Sequence, residues 1–203
     1  MTSAAPVPLT VLALVCTLKR SPEPSSADRM ARLMLEQFPG ATTDVVRVVD
    51  HDVAPGLLDD MGDGDGWPAI RAKVDAADVL VVTGPIWNGQ PASPFLQVPE
   101  RLNAVLSQKD GRQRTPLSGK VVVLGVVGNE DGARHVQSIM MAALSELGLS
   151  FAAVPLAYHL GDDLVDQEEV EDADLELVQR ACANAAHLAS VLRATPYPGL
   201  PAS

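Results

Sequence analysis

Basic residues, cysteines and aromatic residues are all scarce in this chain of 203 residues, and two of these shortages exclude classes of protein. Lysine and arginine number 15 against 26 acidic residues, and the formal net charge of −11 argues against nucleic acid as a partner. The two cysteines, Cys16 and Cys182, have neither a CxxC nor a metal-ligand spacing, so we expect two buried, reduced thiols. The four histidines lie far apart, and their spacing gives no support for a metal site.

The chain also lacks a long apolar run. The apolar stretch Leu9–Leu18 is too short to cross a bilayer. No basic residue precedes it and no small-residue cleavage site follows it, so the pattern is not that of a secretory signal. We therefore expect a cytoplasmic protein without a membrane partner.

Apolar residues are plentiful, at 47%, which is enough for a packed core. The length favours one domain over residues 1–203, with a core from about 8 to 193 and an extended, proline-rich tail over 194–203. Apolar runs bounded by turn-forming residues predict five strands. They are Leu9–Cys16, Asp44–Val49, Val79–Thr83, Lys120–Val127 and Ser150–Leu156.

Helical spacing occupies the gaps between these strands. Met30, Leu33, Met34 and Phe38 predict a helix after the first strand, and Val136–Leu147 predicts an amphipathic helix that ends at Gly148. A last helix is predicted over Gln167–Arg193. Strands that alternate with helices predict a parallel sheet covered on both faces.

Ligands of such sheets bind outside the carboxyl ends of the strands, so the loops there are the candidate site. After the first strand, Thr17–Ser26 places hydroxyl groups before a helix whose free amides can hold an anion, with added charge from Lys19 or Arg20. A plain loop ending in a serine N-cap is the alternative. Neither GxGxxG nor a Walker A pattern is present, which argues against a dinucleotide fold or a P-loop.

Two further loops follow the third and fourth strands. Gly84–Ser93 combines Trp87 with prolines, which predicts a stiff loop that can lie along a flat heteroaromatic ring; a rigid turn with Trp87 packed inward is the alternative. Gly128–Gly132 permits close backbone approach to a ligand, or forms a flexible loop. His135 and His159 also follow strand ends and could approach the same pocket.

An acidic, glycine-rich segment, Gly62–Gly66, superficially suggests a calcium site. Trp67 and Pro68 stand where an EF-hand would place ligands or turn residues, so the pattern fails. We expect a solvated loop instead.

The three loops together resemble the NAD(P)H-dependent FMN reductases, a family of flavodoxin-like proteins. Where that family has G-S-x-R and a polar helix start, this chain has Cys16–Lys19 and Ser25–Ala27. The family's P-x-Y-x-G-x-x-S pattern corresponds to Pro85–Ser93 of this chain, which Glu100 and Arg101 follow at matching distance. Gly119-Lys120, leading a strand into Gly128–Gly132, is a looser match. The similarity extends from about Thr10 to Leu156.

The resemblance implies a three-layer α/β sandwich with a five-stranded parallel sheet of order 2-1-3-4-5, and FMN as cofactor. It implies phosphate contacts from Thr17, Lys19, Ser25 and Ser26. The flavin ring would lie beside Pro85, Ile86, Trp87, Asn88 and Gly89, and the third loop would add Gly128, Asn129 and Gly132. Departures from the family are Cys16-Thr17 for Gly-Ser, Lys19 for arginine, and prolines at 94 and 99. Pro99 is expected to bend its helix unless the helix begins there.

The implied activity is hydride transfer from NAD(P)H through FMN to a quinone, a flavin or a similar small electron acceptor. No catalytic side chain is required, because the flavin carries the chemistry. Relatives are often homodimers or homotetramers, so we expect one of these states. Two alternatives stay open: a flavodoxin-type electron carrier, whose usual T/S-x-T-G-x-T loop is missing here, and a flavodoxin-like interaction module that has lost FMN.

Overall fold

A twisted parallel sheet forms the centre of the computed structural model, which describes residues 8–129, 131–167 and 169–201. Its strands are β1 (Thr10–Val15), β2 (Thr42–Arg47), β3 (Val79–Trp87), β4 (Gln90–Pro91), β5 (Val121–Gly128) and β6 (Ser150–Leu160). Five of them pair in parallel in the order β2-β1-β3-β5-β6, and the short β4 pairs antiparallel with the end of β3. With β4 set aside, this is the order 2-1-3-4-5 of flavodoxin-like proteins, as predicted.

Five α-helices cover the two faces of the sheet. They are α1 (Ser26–Leu35), α2 (Trp67–Ala76), α3 (Ser93–Leu102), α4 (Ala133–Glu146) and α5 (Asp172–Ala194). Helices α1 and α5 pack on one face, and α2, α3 and α4 pack on the other. Among the described residues, no helix has both the length and the apolarity needed to cross a bilayer.

The core has one half on each side of the sheet, because successive residues of a strand point to opposite faces. Leu80 belongs to the half that contains α2 to α4, and the next residue, Val81, belongs to the half under α1 and α5. This explains why β1, β3 and β5 are almost continuously apolar. Cys16 and Cys182 are buried and unpaired, as predicted, and burial raises the pKa of both thiols.

Several predicted boundaries were wrong. Strand β3 does not end at Thr83, because Gly84 and Pro85 continue the pairing with β5. The second strand lies two residues earlier than predicted, and Val48–Asp50 forms a 3-10 turn. The last strand extends to Leu160 and bulges between Phe151, which pairs with Val122, and Leu156, which pairs with Leu124. Helix α5 begins at Asp172 instead of Gln167, and helix α2 had no specific prediction.

Pro99 lies inside α3, seven positions along a helix that begins at Ser93, so the helix does not start at this proline. Pro94 occupies the first turn, where a missing N–H costs little. Pro99 has no N–H to donate to the carbonyl four residues earlier, at Phe95. Its ring is buried against the core, so packing offsets part of the lost hydrogen bond. The helix continues to Leu102 and is followed by a 3-10 turn, Asn103–Ser107.

The Gly62–Gly66 segment is not a solvated loop at its end, because the side chain of Asp65 is only 1% exposed. Asp65 accepts hydrogen bonds from the amides of Ala54, Met61 and Trp67 and from the guanidinium of Arg101. Arg101 also donates to two carbonyls of the same loop. Its Cζ lies over the ring of Trp67, 5.6 Å from the ring centroid. The motif residue Arg101 therefore organises residues 54–67 from within the core.

Candidate functional site

A cavity of about 610 Å³ opens at the carboxyl ends of β1, β3, β5 and β6, where the sheet order predicts a ligand site. This volume lies within the range of small-molecule sites, about 300–1,000 Å³. Four loops or strand ends form its wall. It is lined by Thr17, Leu18, Lys19, Ser25, Ser26, Ala27, Pro85, Ile86, Trp87, Val127, Gly128, Asn129, His159, Gly161, Asp162, Asp163, Leu164 and Asp166.

The β1–α1 loop brings two nearly buried hydroxyl groups to one end of the cavity. Thr17 is 3% exposed and Ser25 is 5% exposed. The Thr17 hydroxyl accepts the amide of Lys19 at 3.2 Å, which leaves its own proton available for donation. Ser25 is the N-cap residue of α1, but within the described structure its hydroxyl makes no bond to the helix amides. Both groups can therefore donate to an anion at the positive end of the helix.

Two charged residues hold this loop in place, Arg47 at the end of β2 and Asp50 in the 3-10 turn that follows. No local sequence pattern predicted this role. Asp50 accepts the amide of Ser21 at 2.8 Å and its hydroxyl at 2.6 Å. The hydroxyl of Ser21 lowers the pKa of Asp50, which stays ionised at neutral pH. Arg47 donates to the carbonyl of Glu23 at 2.8 Å. The loop is thus fixed by charged groups before any ligand binds.

Lys19 supplies less positive charge to the cavity than its place in the loop suggests. Its ammonium group lies 3.9 Å from the carboxylate of Glu23, and both side chains are exposed. Exposed pairs of this kind are worth at most about 1 kcal/mol. Lys19 can therefore turn toward a ligand at little cost, but it is not held there.

The opposite wall is the end of β3 and the hairpin that follows it. Pro85, Ile86 and Trp87 line the cavity. Trp87 is 55% exposed, so the alternative of an inward-packed tryptophan is excluded. Asn88 and Gly89 have φ values of +51° and +71°, the left-handed pair that a two-residue hairpin turn requires. The segment is a strand and hairpin with a flat apolar end, not a loop.

The third segment, after β5, contributes Gly128 and Asn129 to the wall. A β-carbon on Gly128 would lie 3.1 Å from the β-carbon of Ile86, so a larger residue would crowd the hairpin. Asn88, Gly89 and Gly132 do not line the cavity. Gly132 lies behind the rim, where a β-carbon on it would be 3.4 Å from the α-carbon of Gly89. Glu130 lies outside the described residues.

A fourth wall, residues 159–166, was missed except for the suggestion that His159 could approach the pocket. His159 is buried, and its ring bridges Asp174 (Nδ1–Oδ2, 2.5 Å) and the carbonyl of Asp162 (Nε2–O, 2.9 Å). Burial lowers the pKa of His159, but these two acceptors outweigh burial and raise it overall. His135, the other candidate, contacts Gln90 and does not line the cavity.

This fourth wall makes the cavity acidic. Asp162, Asp163 and Asp166 all line it, whereas the basic groups are Lys19 and the ring of His159. Asp163 reaches across to the start of α1, where the Ser26 hydroxyl donates to its Oδ1 at 3.2 Å. Within the described ranges no cluster of three histidine, cysteine or acidic side chains is placed to hold a metal ion.

This chain has clear relatives among flavin enzymes. Residues 9–161 match the sequence profile of the family described as NADPH-dependent FMN reductase. The chain belongs to that family. Membership makes it a flavodoxin-like flavoprotein oxidoreductase, with FMN as the flavin and NADPH as the reductant for which the family is named.

A sequence relative of this family member and a similar solved structure agree with the profile, and a further match is to part of a transporter. The chain is 33% identical to the 8-demethyl-8-aminoriboflavin-5'-phosphate synthase of Streptomyces davaonensis, over 93% of this chain and 80% of that protein. A solved structure of RosB, with the bound intermediate 8-demethyl-8-formylriboflavin-5'-phosphate, superposes with a TM-score of 0.76 at 33% identity and covers 93% of this chain and 82% of that one. A segment covering 69% of this chain is 37% identical to the divalent metal cation transporter MntH of Mycobacterium bovis, of which it spans only 21%.

The cavity of this family member meets the main requirements of FMN. A flavin mononucleotide needs donors for a phosphate at one end and a flat apolar wall for its ring at the other. The buried hydroxyls of Thr17 and Ser25 provide the first, and Pro85, Ile86 and Trp87 provide the second. Among the described residues, the acidic wall at residues 162–166 is the feature that opposes a phosphate.

Proposed function

We propose that FMN binds in this cavity with its phosphate at the β1–α1 loop and its ring beside the hairpin. The phosphate contacts are Thr17, Lys19, Ser25 and Ser26. The ring contacts come from Pro85 to Gly89, with Gly128, Asn129 and Gly132 in or behind the wall. The observation that carries this assignment is the placement of two nearly buried hydroxyls and an exposed tryptophan in one cavity.

Bound FMN supplies the chemistry of hydride acceptance and release. The chain's own residues bind and orient it. Thr17 and Ser25 donate hydroxyl protons to the phosphate, and the N-terminal end of α1 adds its positive dipole. Trp87 and Pro85 exclude water from one side of the ring, which strengthens the hydrogen bonds made there. With FMN bound, hydride from NAD(P)H would pass through the flavin to a small acceptor such as a quinone or a second flavin, and water would supply the accompanying proton. No protein acid or base is therefore needed.

A visible spectrum of the purified protein with added FMN, NADH and NADPH tests this proposal. We expect a yellow complex that bleaches when a reduced nicotinamide is added and recovers its colour with a quinone. Bleaching by dithionite alone would favour the electron-carrier alternative. Absence of flavin uptake at micromolar FMN would refute the proposal.

A second candidate function is suggested by the 33% identity to the S. davaonensis synthase over nearly the whole chain. In this alternative, the flavin phosphate is a substrate whose ring is altered, not a cofactor that is regenerated. The two candidates differ in the fate of the flavin. Mass spectrometry of the flavin recovered after incubation with an amino donor and molecular oxygen would give unchanged FMN for a reductase and a product of altered mass for a flavin-modifying enzyme. A parallel incubation with NAD(P)H and an acceptor should return unchanged FMN in both cases.

We infer further that the chain acts as one domain in the cytoplasm, with a small-molecule electron acceptor as its partner. We also infer a homodimer or homotetramer, as the family resemblance implies. Light scattering coupled to size-exclusion chromatography would measure the oligomeric mass, and a monomer with full FMN affinity would contradict the inferred assembly.

A further inference from the structure

Asp163 occupies the position where an anionic ligand would bind the start of α1. Its Oδ1 lies 3.2 Å from the hydroxyl oxygen of Ser26, the first residue of that helix. A helix N-terminus attracts negative charge, whether from a ligand phosphate or from a side chain. We infer that Asp163 competes with the phosphate for Ser26 and thereby sets how strongly the site prefers FMN over riboflavin; this rests on the proposed FMN site.

The backbone around Asp163 is anchored on both sides, so the competition concerns the side chain. Leu164 is buried under α1, and the carbonyl of Asp162 accepts the His159 ring at 2.9 Å. Asp163 itself is exposed. A phosphate that takes the Ser26 hydroxyl must therefore displace a carboxylate that remains nearby, since the loop itself is held.

Charge repulsion and the loss of the Ser26–Asp163 hydrogen bond both weaken the binding of FMN. A phosphate at Ser26 would meet the like charge of Asp163 at close range, and Asp163 would lose its hydroxyl donor. Riboflavin has no phosphate and does not enter this competition. Asp163 thus affects the binding of FMN and not that of riboflavin, whereas the contacts to the ring are common to both.

Substitution of Asp163 by asparagine keeps the side-chain shape and removes the charge. We expect FMN to bind about threefold to tenfold more tightly to Asp163→Asn than to the natural protein, because the residue is exposed and the effect is screened. Riboflavin affinity should stay within twofold. Both dissociation constants can be measured by quenching of flavin fluorescence, with no need for turnover.

The matched control is Asp166→Asn. Asp166 lines the same cavity, and its substitution removes the same charge as that of Asp163. Among the described residues, however, the Asp166 carboxylate makes no hydrogen bond to α1. An equal gain in both variants would overturn the competition at Ser26 and leave only a general charge effect. In a Ser26→Ala background, the gain from Asp163→Asn should shrink, because the contested hydroxyl is gone.

The outcomes separate this inference from the proposed function. FMN affinity that is unchanged or weaker in Asp163→Asn, in a natural protein that does bind FMN, overturns the inference alone. If neither the natural protein nor the variant binds either flavin, the proposed function and the inference are both overturned.

Discussion

Removal of the Asp65 carboxylate should destabilise the fold strongly without changing the cavity. In Asp65→Asn the guanidinium of Arg101, which is fully buried, loses its only ionised partner among the described residues. The carboxylate of Asp65 also accepts three backbone amides. The side-chain NH2 of asparagine would replace one of these accepting oxygens and would face donor groups instead. Breaking a buried pair from one side costs about 3–5 kcal/mol. For a chain of this size that corresponds to a fall in melting temperature of roughly 6–20 °C.

The pH dependence of stability gives a second measure of the same pair. Burial alone would raise the pKa of Asp65, but its amide donors and Arg101 outweigh burial and lower the pKa from 3.8 to about 2. A depressed pKa stabilises the folded state above the unfolded value and loses that contribution as pH falls toward 2. At most about 2 kcal/mol of unfolding free energy should therefore disappear between pH 4 and pH 2, and Asp65→Asn should lack this part of the slope.

Urea unfolding followed by circular dichroism at several pH values would measure both effects. Asp63→Asn is the matched control, because it removes an exposed carboxylate from the same loop and should change stability by less than about 0.5 kcal/mol. A loss below about 1 kcal/mol in Asp65→Asn would refute the reasoning that the pair organises this loop. FMN affinity should be unchanged in either variant, since neither residue lines the cavity.

Three further changes test the site and its frame. Trp87→Ala should weaken binding of both FMN and riboflavin about threefold to tenfold, whereas Trp87→Phe should retain most of the affinity; equal binding by all three proteins in a fluorescence titration would contradict a ring contact. His159→Gln should reduce stability below about pH 6.5, because a raised pKa stabilises the fold at low pH and this contribution is lost as pH rises through the raised value. If urea unfolding of the variant shows the same pH dependence of stability as the natural protein, the hydrogen bond from His159 to Asp174 does not stabilise the fold. Gly84→Ala would place a β-carbon against the ring of Phe95 and should cost about 1–3 kcal/mol by thermal unfolding; a neutral result would mean that the ring moves freely.

The fold was predictable because its signals are local. Four of the five main strands are apolar runs, whereas β2 is polar at its start, and the helix that contains Met140 repeats its apolar residues at helical spacing. Alternation of the two element types then dictates a parallel sheet with helices on both faces. The boundaries were less predictable, since Gly84 and Pro85 are poor strand formers that nevertheless continue the pairing of β3 with β5.

Three walls of the candidate site were predictable because the carboxyl ends of parallel strands meet at one edge. The groups that support the site were not. Asp50, in the 3-10 turn after β2, holds Ser21 of the β1–α1 loop from 29 residues away, and no local pattern predicts such a contact. Arg101 belongs to the sequence pattern that resembles a flavin motif, but it forms a buried pair with Asp65, and neither residue lines the cavity. The side chain that matches a motif can therefore serve the fold instead of the ligand.

The fourth wall shows why family membership does not fix the ligand preference of this site. Residues 161–166 lie between the predicted strand that ends at Leu156 and the predicted helix that begins at Gln167, where no element was predicted. Leu164 and His159 anchor this segment beside α1, so that its carboxylates enter the cavity. The hydroxyls that favour a phosphate and the Asp163 carboxylate that opposes it thus converge on the same helix start. The affinity for FMN therefore depends on the difference between the attraction of the phosphate to the hydroxyls and its repulsion by the Asp163 carboxylate. A change of a single charge at this point would shift that difference while the fold and the ring wall stay the same.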